Sequence, residues 1–307
     1  MGPSDATALL RNSVCAGTAA ATATGIFNPL DTLRVRWQLS PVLASQTATA
    51  ASGGVSLLGF ARGIVASEGL VTGLWRPGVL ATMSSMATSC GIRMGCYPYL
   101  RDWVAGSSAS KTPTLMFSTG LFAGAVGYWV SCPFFQTKTR LQAATVIRSS
   151  GGEAKTTGVV REMLSISREG GVASLFRGSV PLVVRGALLS AGQTLGYDGT
   201  KTVLSQQSET MRDGPVLHVL GSVVAAFLGT VLSSPADYIM TRYQAAAQMG
   251  RPYSGPVQCF VSVAREDGVA AFYRGWSPFF LRIAPVFVIF HPLFEQLRLV
   301  AGLSYMR

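Results

Sequence analysis

In the stretch NPLDTLRVRWQ (28–38), Asp31, Arg34 and Gln38 follow Pro29 by two, five and nine residues. On an α-helix those positions project at about 200°, 140° and 180°, so an acid, a base and an amide share one face. Arg36 points to the opposite side. Such a face offers ion pairing braced by a carboxamide rather than bond-breaking chemistry. The pattern recurs as PFFQTKTRLQ (133–142) and PADYIMTRYQ (235–244), with the prolines 104 and 102 residues apart. The equivalent positions are Phe135, Lys138 and Gln142, then Asp237, Met240 and Gln244. A single Asp–Arg pair at i,i+3 is a surface contact worth a few tenths of a kcal/mol, on the order of 0.3. Three tandem copies point instead to a ring of acid–base pairs between neighbouring helices.

A second set of charges lies inside apolar runs. Arg93, Arg185 and Arg282 each interrupt a stretch that is otherwise poor in charge. Arg185 and Arg282 stand 13 residues before Asp198 and Glu295 respectively, and their counterparts in the first third of the chain are Ser85 and Met86. About 10 Å from a helix start, an arginine can still snorkel to a head group. Matched positions favour a binding role instead. Three cations with no matching acid favour an anion, which the guanidinium fork grips in bidentate fashion. Enzymatic chemistry finds no footing. His218 and His291 are the only histidines and show no metal-ligand spacing, and no phosphate-binding loop, Ser–His–acid set or calcium loop is evident. The expectation is no enzyme, no cofactor and no metal.

The elements that must position these residues are long apolar segments. The chain has 307 residues, 49% hydrophobic and 13% charged. Its mean hydropathy is +0.36. Apolar runs cover 8–30, 77–104, 113–135, 178–204, 215–236 and 276–303, each near or above the roughly 20 residues a membrane-crossing helix needs. Their Gly, Ala, Ser and Thr content suits close helix packing in lipid. The net charge of +11 comes from Lys and Arg at the ends of these runs, a distribution that fits anionic lipid and not nucleic acid. Five scattered cysteines form neither a disulfide framework nor a zinc site. No cleaved secretory signal or Arg-rich transit peptide is recognisable, so targeting information is expected to be internal.

Each copy of the first motif is followed, some 30–40 residues on, by a second: EGLVTGLWRPG (68–78), EGGVASLFRG (169–178) and DGVAAFYRG (267–275). With both motifs in hand, the chain resembles the mitochondrial carrier family over its whole length. The resemblance implies an all-α membrane protein of the inner membrane. It would have six transmembrane helices in three tandem repeats (1–108, 109–211 and 212–307) about a pseudo-threefold axis, with three short matrix helices. Transport would proceed by alternating access, the prolines drawing the helix ends together to close one end of a central cavity.

The family's pairing, placed on these residues, joins Asp31 to Lys138 and Asp237 to Arg34 in a matrix-side gate. The third contact would be Phe135 with Met240, both departures from charge falling on one predicted contact. Losing one partner would strand a charge, whereas losing both leaves an apolar contact with sulfur–aromatic attraction. One of the three amides, Gln142 or another, then has no ion pair to brace. A cytoplasmic-side gate is expected 20 residues beyond the second motif, at Pro98, Asp198 and Glu295, with Arg101, Lys201 and Arg298 as bases. Its pairs would be Asp198–Arg298 and Glu295–Arg101, leaving Lys201 without a carboxylate.

The resemblance also places the substrate contacts at Arg185 with Gly186, Arg282 with Ile283, Ser85 with Met86, and Arg93 in GIRMGCY (91–97). That last stretch is similar to the dicarboxylate, oxoglutarate, oxaloacetate and uncoupling members. The acid-free second motif, the base-free third and RIAP (282–285) resemble the oxaloacetate/sulfate-type branch, although Val286 replaces its usual His. The implied solute is a small dianion, moved by exchange or proton-coupled uniport. The alternatives are an uncoupling-type proton leak and a non-transporting receptor or scaffold. The second motif's Arg76–Gly78, Arg177–Gly178 and Arg274–Gly275 would hold cardiolipin at helix starts, with Pro77 weakening the first copy; simple helix initiation is the competing reading. A monomer is expected.

Overall fold

The computed structural model describes residues 3–44, 56–105, 113–149, 158–207, 215–246 and 253–303, and every regular element among them is a helix. The first repeat contains α1 (Pro3–Ile26), α2 (Asn28–Ala44), α3 (Leu57–Glu68), a short turn (Val71–Trp75) and α4 (Val79–Ala105). The second contains α5 (Pro113–Ser149), α6 (Val159–Gly170), a turn (Val172–Phe176) and α7 (Ser179–Gln207). The third contains α8 (Pro215–Ala245), α9 (Pro256–Glu266), a turn (Val269–Tyr273) and α10 (Trp276–Val300). The long helices close a ring, α1–α4–α5–α7–α8–α10, and α2, α5 and α8 touch one another at one end of it.

The motif prolines act differently in the three repeats. Pro133 and Pro235 lie within unbroken helices, whereas the chain turns at Phe27 between α1 and α2. Proline at 29 leaves the carbonyl of Gly25 without its helical donor. The Trp75 indole Nε1 donates to that carbonyl at 2.9 Å. Asn28 Nδ2 donates to the carbonyls of Trp75 at 2.6 Å and Pro77 at 3.2 Å, tying the break to the start of α4. The second motif thus repairs the backbone that the first motif breaks.

Small residues let the long helices approach. A Cβ on Gly17 would stand 2.9 Å from the carbonyl oxygen of Ala87, and one on Gly192 would stand 2.6 Å from the Cα of Gly229. The α1–α4 and α7–α8 contacts are therefore backbone against backbone, as close packing in lipid favours. Among the described residues, the segments Val172–Gly192 and Val223–Ala245 reach a mean hydropathy of 1.4. Polar groups within the other apolar runs are buried, such as Thr24, Thr82, Ser89 and Ser131. Polarity inside the ring and apolarity outside is the arrangement a bilayer imposes.

The three short helices are amphipathic. Ile64, Ile166 and Val263 are buried, while Leu58, Leu164 and Val257 stay exposed on the outer faces. In α9, Val263 and Cys259 pack with Tyr238, Ile239 and Phe272, so this helix is seated on α8 and the following turn.

Candidate functional site

The converging ends of α2, α5 and α8 carry the charged face read from the first motif. Lys138 Nζ meets Asp31 Oδ2 across the α2–α5 seam. Arg34 Nη1 reaches Asp237 Oδ1 at 2.8 Å across the α2–α8 seam, and its Nη2 lies 3.1 Å from Asp31 Oδ1. Arg34 therefore bridges both carboxylates, and all four side chains are buried. Among the described residues no ion pair crosses the α5–α8 seam. There Phe135 and Met240 pack in one cluster with Tyr128, Cys132 and Leu182.

Gln38 Nε2 donates to Asp237 Oδ2 at 3.1 Å, and Gln142 Nε2 to Asp31 Oδ2 at 3.4 Å. Among the described residues, Gln244 is the one of the three amides with no ion pair beside it. It belongs to the apolar seam and accepts at Oε1 from the Thr139 hydroxyl at 2.8 Å. The glycines of the second motif lie against these amides. A Cβ on Gly78, Gly178 or Gly275 would stand 3.2, 2.8 or 3.0 Å from the Cγ of Gln142, Gln244 or Gln38. All three glycines also have positive φ, at 65°, 83° and 92°, so conformation and space both require the missing side chain.

Above this ring lies a central cavity of about 130 Å³. Arg93, Lys138, Arg185 and Arg282 line it together with Met86 and Ile283. Arg185 Nη1 sits 3.2 Å from Asp237 Oδ1, and Arg282 Nη1 sits 3.5 Å from Asp31 Oδ1. The Nε donors of Arg185 and Arg282 are buried and have no acceptor among the described residues. Arg93 is nearest in polar terms to the Cys90 thiol, Nη2 to Sγ 3.6 Å. Ser85 is buried and donates to the Thr82 carbonyl at 2.8 Å, and it does not line the cavity. Gly186 lines a separate side cavity instead.

The sequence reading missed the aromatic lining. The Arg185 guanidinium carbon is 5.8 Å from the ring centroids of both Tyr128 and Phe135, and that of Arg34 is 5.1 Å from Phe279. The available signal was spacing: Tyr128 is seven residues before Phe135, and Phe279 is three before Arg282. Also missed were partners for the bases on the opposite face. Arg36 pairs with Glu68 at 2.5 Å and Arg140 with Glu169 at 2.6 Å, and Arg242 meets Asp267. In every repeat the acid of the second motif thus ties the end of the surface helix to the preceding long helix.

The second-motif arginines are not equivalent. Arg177 Nη2 donates to the Tyr253 carbonyl at 3.0 Å and stacks 4.7 Å from the Tyr243 ring. Arg274 Nε donates to the Trp37 carbonyl at 2.9 Å and lies 4.4 Å from that indole. Arg76 is exposed beside a cavity of about 500 Å³ between the start of α4, the end of α5 and the start of α6. Pro77 lines that cavity and does not close it. Of the other predicted gate, the side chains of Pro98, Arg101, Asp198, Lys201 and Glu295 lie outside the described residues. Arg298 Nη1 donates to Asn12 Oδ1, and its guanidinium stands 5.5 Å from the Phe294 ring.

A family model described as mitochondrial carrier protein matches residues 5–108, 109–208 and 212–303. A Dictyostelium discoideum protein named as a mitochondrial 2-oxoglutarate/malate carrier is 30% identical, over 95% of this chain and 90% of its own length. The mitochondrial oxaloacetate transport protein of Saccharomyces cerevisiae is 29% identical, over 92% and 87%. Mitochondrial uncoupling protein 1 of Arabidopsis thaliana is 32% identical, over 87% and 86%.

Proposed function

Because the chain belongs to the mitochondrial carrier family and is a multi-pass inner-membrane protein, we propose that it transports a small dianion through the central cavity. The observation that carries this reading is charge. Among the described residues, Arg34, Lys138, Arg185 and Arg282 surround Asp31 and Asp237, a buried excess of two positive charges. Arg93 adds a third on the cavity wall. Buried charge without compensation costs several kcal/mol, on the order of 3–5 per stranded ion. A dicarboxylate, oxo-acid or sulfate-like oxyanion offsets that excess and accepts from the orphan Nε donors of Arg185 and Arg282. The carriers of 2-oxoglutarate/malate and of oxaloacetate among its relatives support a solute of this kind.

In this reading the Asp31–Lys138 and Asp237–Arg34 pairs, with the Phe135–Met240 contact, form the closed matrix gate, and Gln38 and Gln142 brace it. The three repeats rock about the site to exchange the solute across the membrane as a monomer. A phosphate-bearing lipid such as cardiolipin sits at the Arg76 junction. The exposed arginine and the open cavity there support that placement, whereas Arg177 and Arg274 are taken up by protein groups.

Uptake into proteoliposomes tests the reading, using labelled malonate, malate, oxaloacetate, sulfate, aspartate and ADP. The expected result is saturable dianion uptake that falls at least tenfold in Arg185→Ala. Folded protein that moves none of these, yet conducts protons, would replace the proposal with an uncoupling-type leak.

A further inference from the structure

Between α4, α5 and α7 lies a side cavity of about 170 Å³. Its walls are small residues on facing helices, Gly124 and Ala125 on α5 with Gly186 and Ala187 on α7. Elsewhere in the ring such residues bring backbones into contact, as Gly192 does against Gly229. Here they leave space, about the share of five or six waters at roughly 30 Å³ each, with polar side chains only at the border shared with the central cavity. Leu121 completes the outer wall and is 40% exposed on the lipid-facing side.

This cavity is joined to the central one by its lining. Arg93, Tyr128 and Ser190 border both. Arg93 has no carboxylate partner among the described residues, and its stem lies along the glycines of α5, with Cδ 3.9 Å from a Cβ on Gly124. Tyr128 occupies its place because residue 186 is glycine, where a Cβ would fall 2.4 Å from the ring. A cation on the boundary and an apolar recess behind it are complementary to an anion that carries an apolar group.

We propose that the side cavity receives the apolar substituent of an anionic ligand whose charge rests on Arg93, so that this chain prefers branched dianions to unbranched ones. The proposal deepens the dianion-carrier reading and rests on it. Gly124 and Ala187 are then specificity-determining positions, because a larger side chain at either fills the recess.

The test measures binding to the full chain in lipid nanodiscs, with succinate bearing hydrogen, methyl, propyl or benzyl at C2. Dodecanoate is included as a probe that arrives from the bilayer. Burying each added methylene is expected to raise affinity by up to about fourfold. In Ala187→Phe the series should become flat while unsubstituted succinate binds as before. Leu121→Trp fills the same space from α5 and serves if the first variant does not fold. A flat series in the unaltered chain, without dodecanoate binding, overturns the proposal, as does a rise that survives both filled variants. Dodecanoate binding lost on filling, with a flat series, supports the recess and assigns its ligand to the lipid phase. If succinate itself does not bind while dodecanoate does, the dianion reading fails and the recess stands.

Discussion

Phe135 and Met240 occupy two of the six charge positions of the first motif, on the seam that has no ion pair among the described residues. Their surroundings already hold a positive excess, with Lys138 and Arg185 each 5.8 Å from the Phe135 ring. A base restored at position 240 alone would add a cation without adding an acid. Met240→Arg is therefore expected to destabilise the folded chain by roughly 3 kcal/mol. Adding Phe135→Asp should recover most of that loss, read as a double-mutant cycle on the thermal midpoint of purified protein. Phe135→Asp alone is expected to draw Arg185 from Asp237 and to weaken dianion binding. A second residue-scale expectation concerns Cys259 on α9. Burial pushes its thiol up to about 12, so at pH 8 almost none is thiolate. Site-resolved mass spectrometry should find Cys259 unlabelled by maleimide at pH 8 in the folded protein and labelled after unfolding. Its raised pKa also means that folding stability falls as pH climbs from the ordinary thiol value near 9 towards 12, since only the unfolded chain ionises there.

At the level of elements, each long helix after a second motif begins at a glycine pressed against the first-motif amide of another repeat. Gly178→Ala forces a side chain into φ 83° and onto Gln244. It is expected to cost roughly 1–2 kcal/mol or more, and to disturb the apolar seam first. Gly158, before α6, behaves oppositely. It has φ −72° and, among the described residues, nothing within 4 Å of a built Cβ and no side-chain cap on the helix it precedes. At the start of α3, by contrast, Ser56 Oγ accepts from the Gly59 amide at 3.1 Å. Gly158→Ser should supply the same cap and stabilise by a few tenths of a kcal/mol, about 0.3. Urea or thermal midpoints of the two variants side by side check both signs.

Across the whole molecule, three sequence repeats do not make three equal parts. One junction has an exposed arginine and an open cavity, and the other two have arginines bonded to neighbouring carbonyls. Native mass spectrometry of protein extracted in mild detergent is expected to show one tightly held cardiolipin rather than three. Arg76→Ala should remove it, whereas Arg177→Ala should lower stability through the lost bond to the Tyr253 carbonyl. Retention of three lipids by the unaltered chain would refute the asymmetric arrangement.

The repeat count, the helical class and the faces that carry Asp31, Arg34, Lys138 and Asp237 were legible in sequence, because helical periodicity maps spacing onto direction. The resemblance to a family, not periodicity, set Phe135 opposite Met240, since each takes the motif position of a charge. Tertiary structure decided what depends on distance between elements. It alone put Arg185 on Asp237 and Arg282 on Asp31, turned Arg36, Arg140 and Arg242 into ties to the surface helices, and made Gln244 the amide without an ion pair. It also separated Arg76 from Arg177 and Arg274, which share one motif. Spacing along a chain fixes the face a side chain takes on its own helix. The group it meets there depends on how closely another helix approaches, and that is set by small residues and breaks scattered over the whole ring.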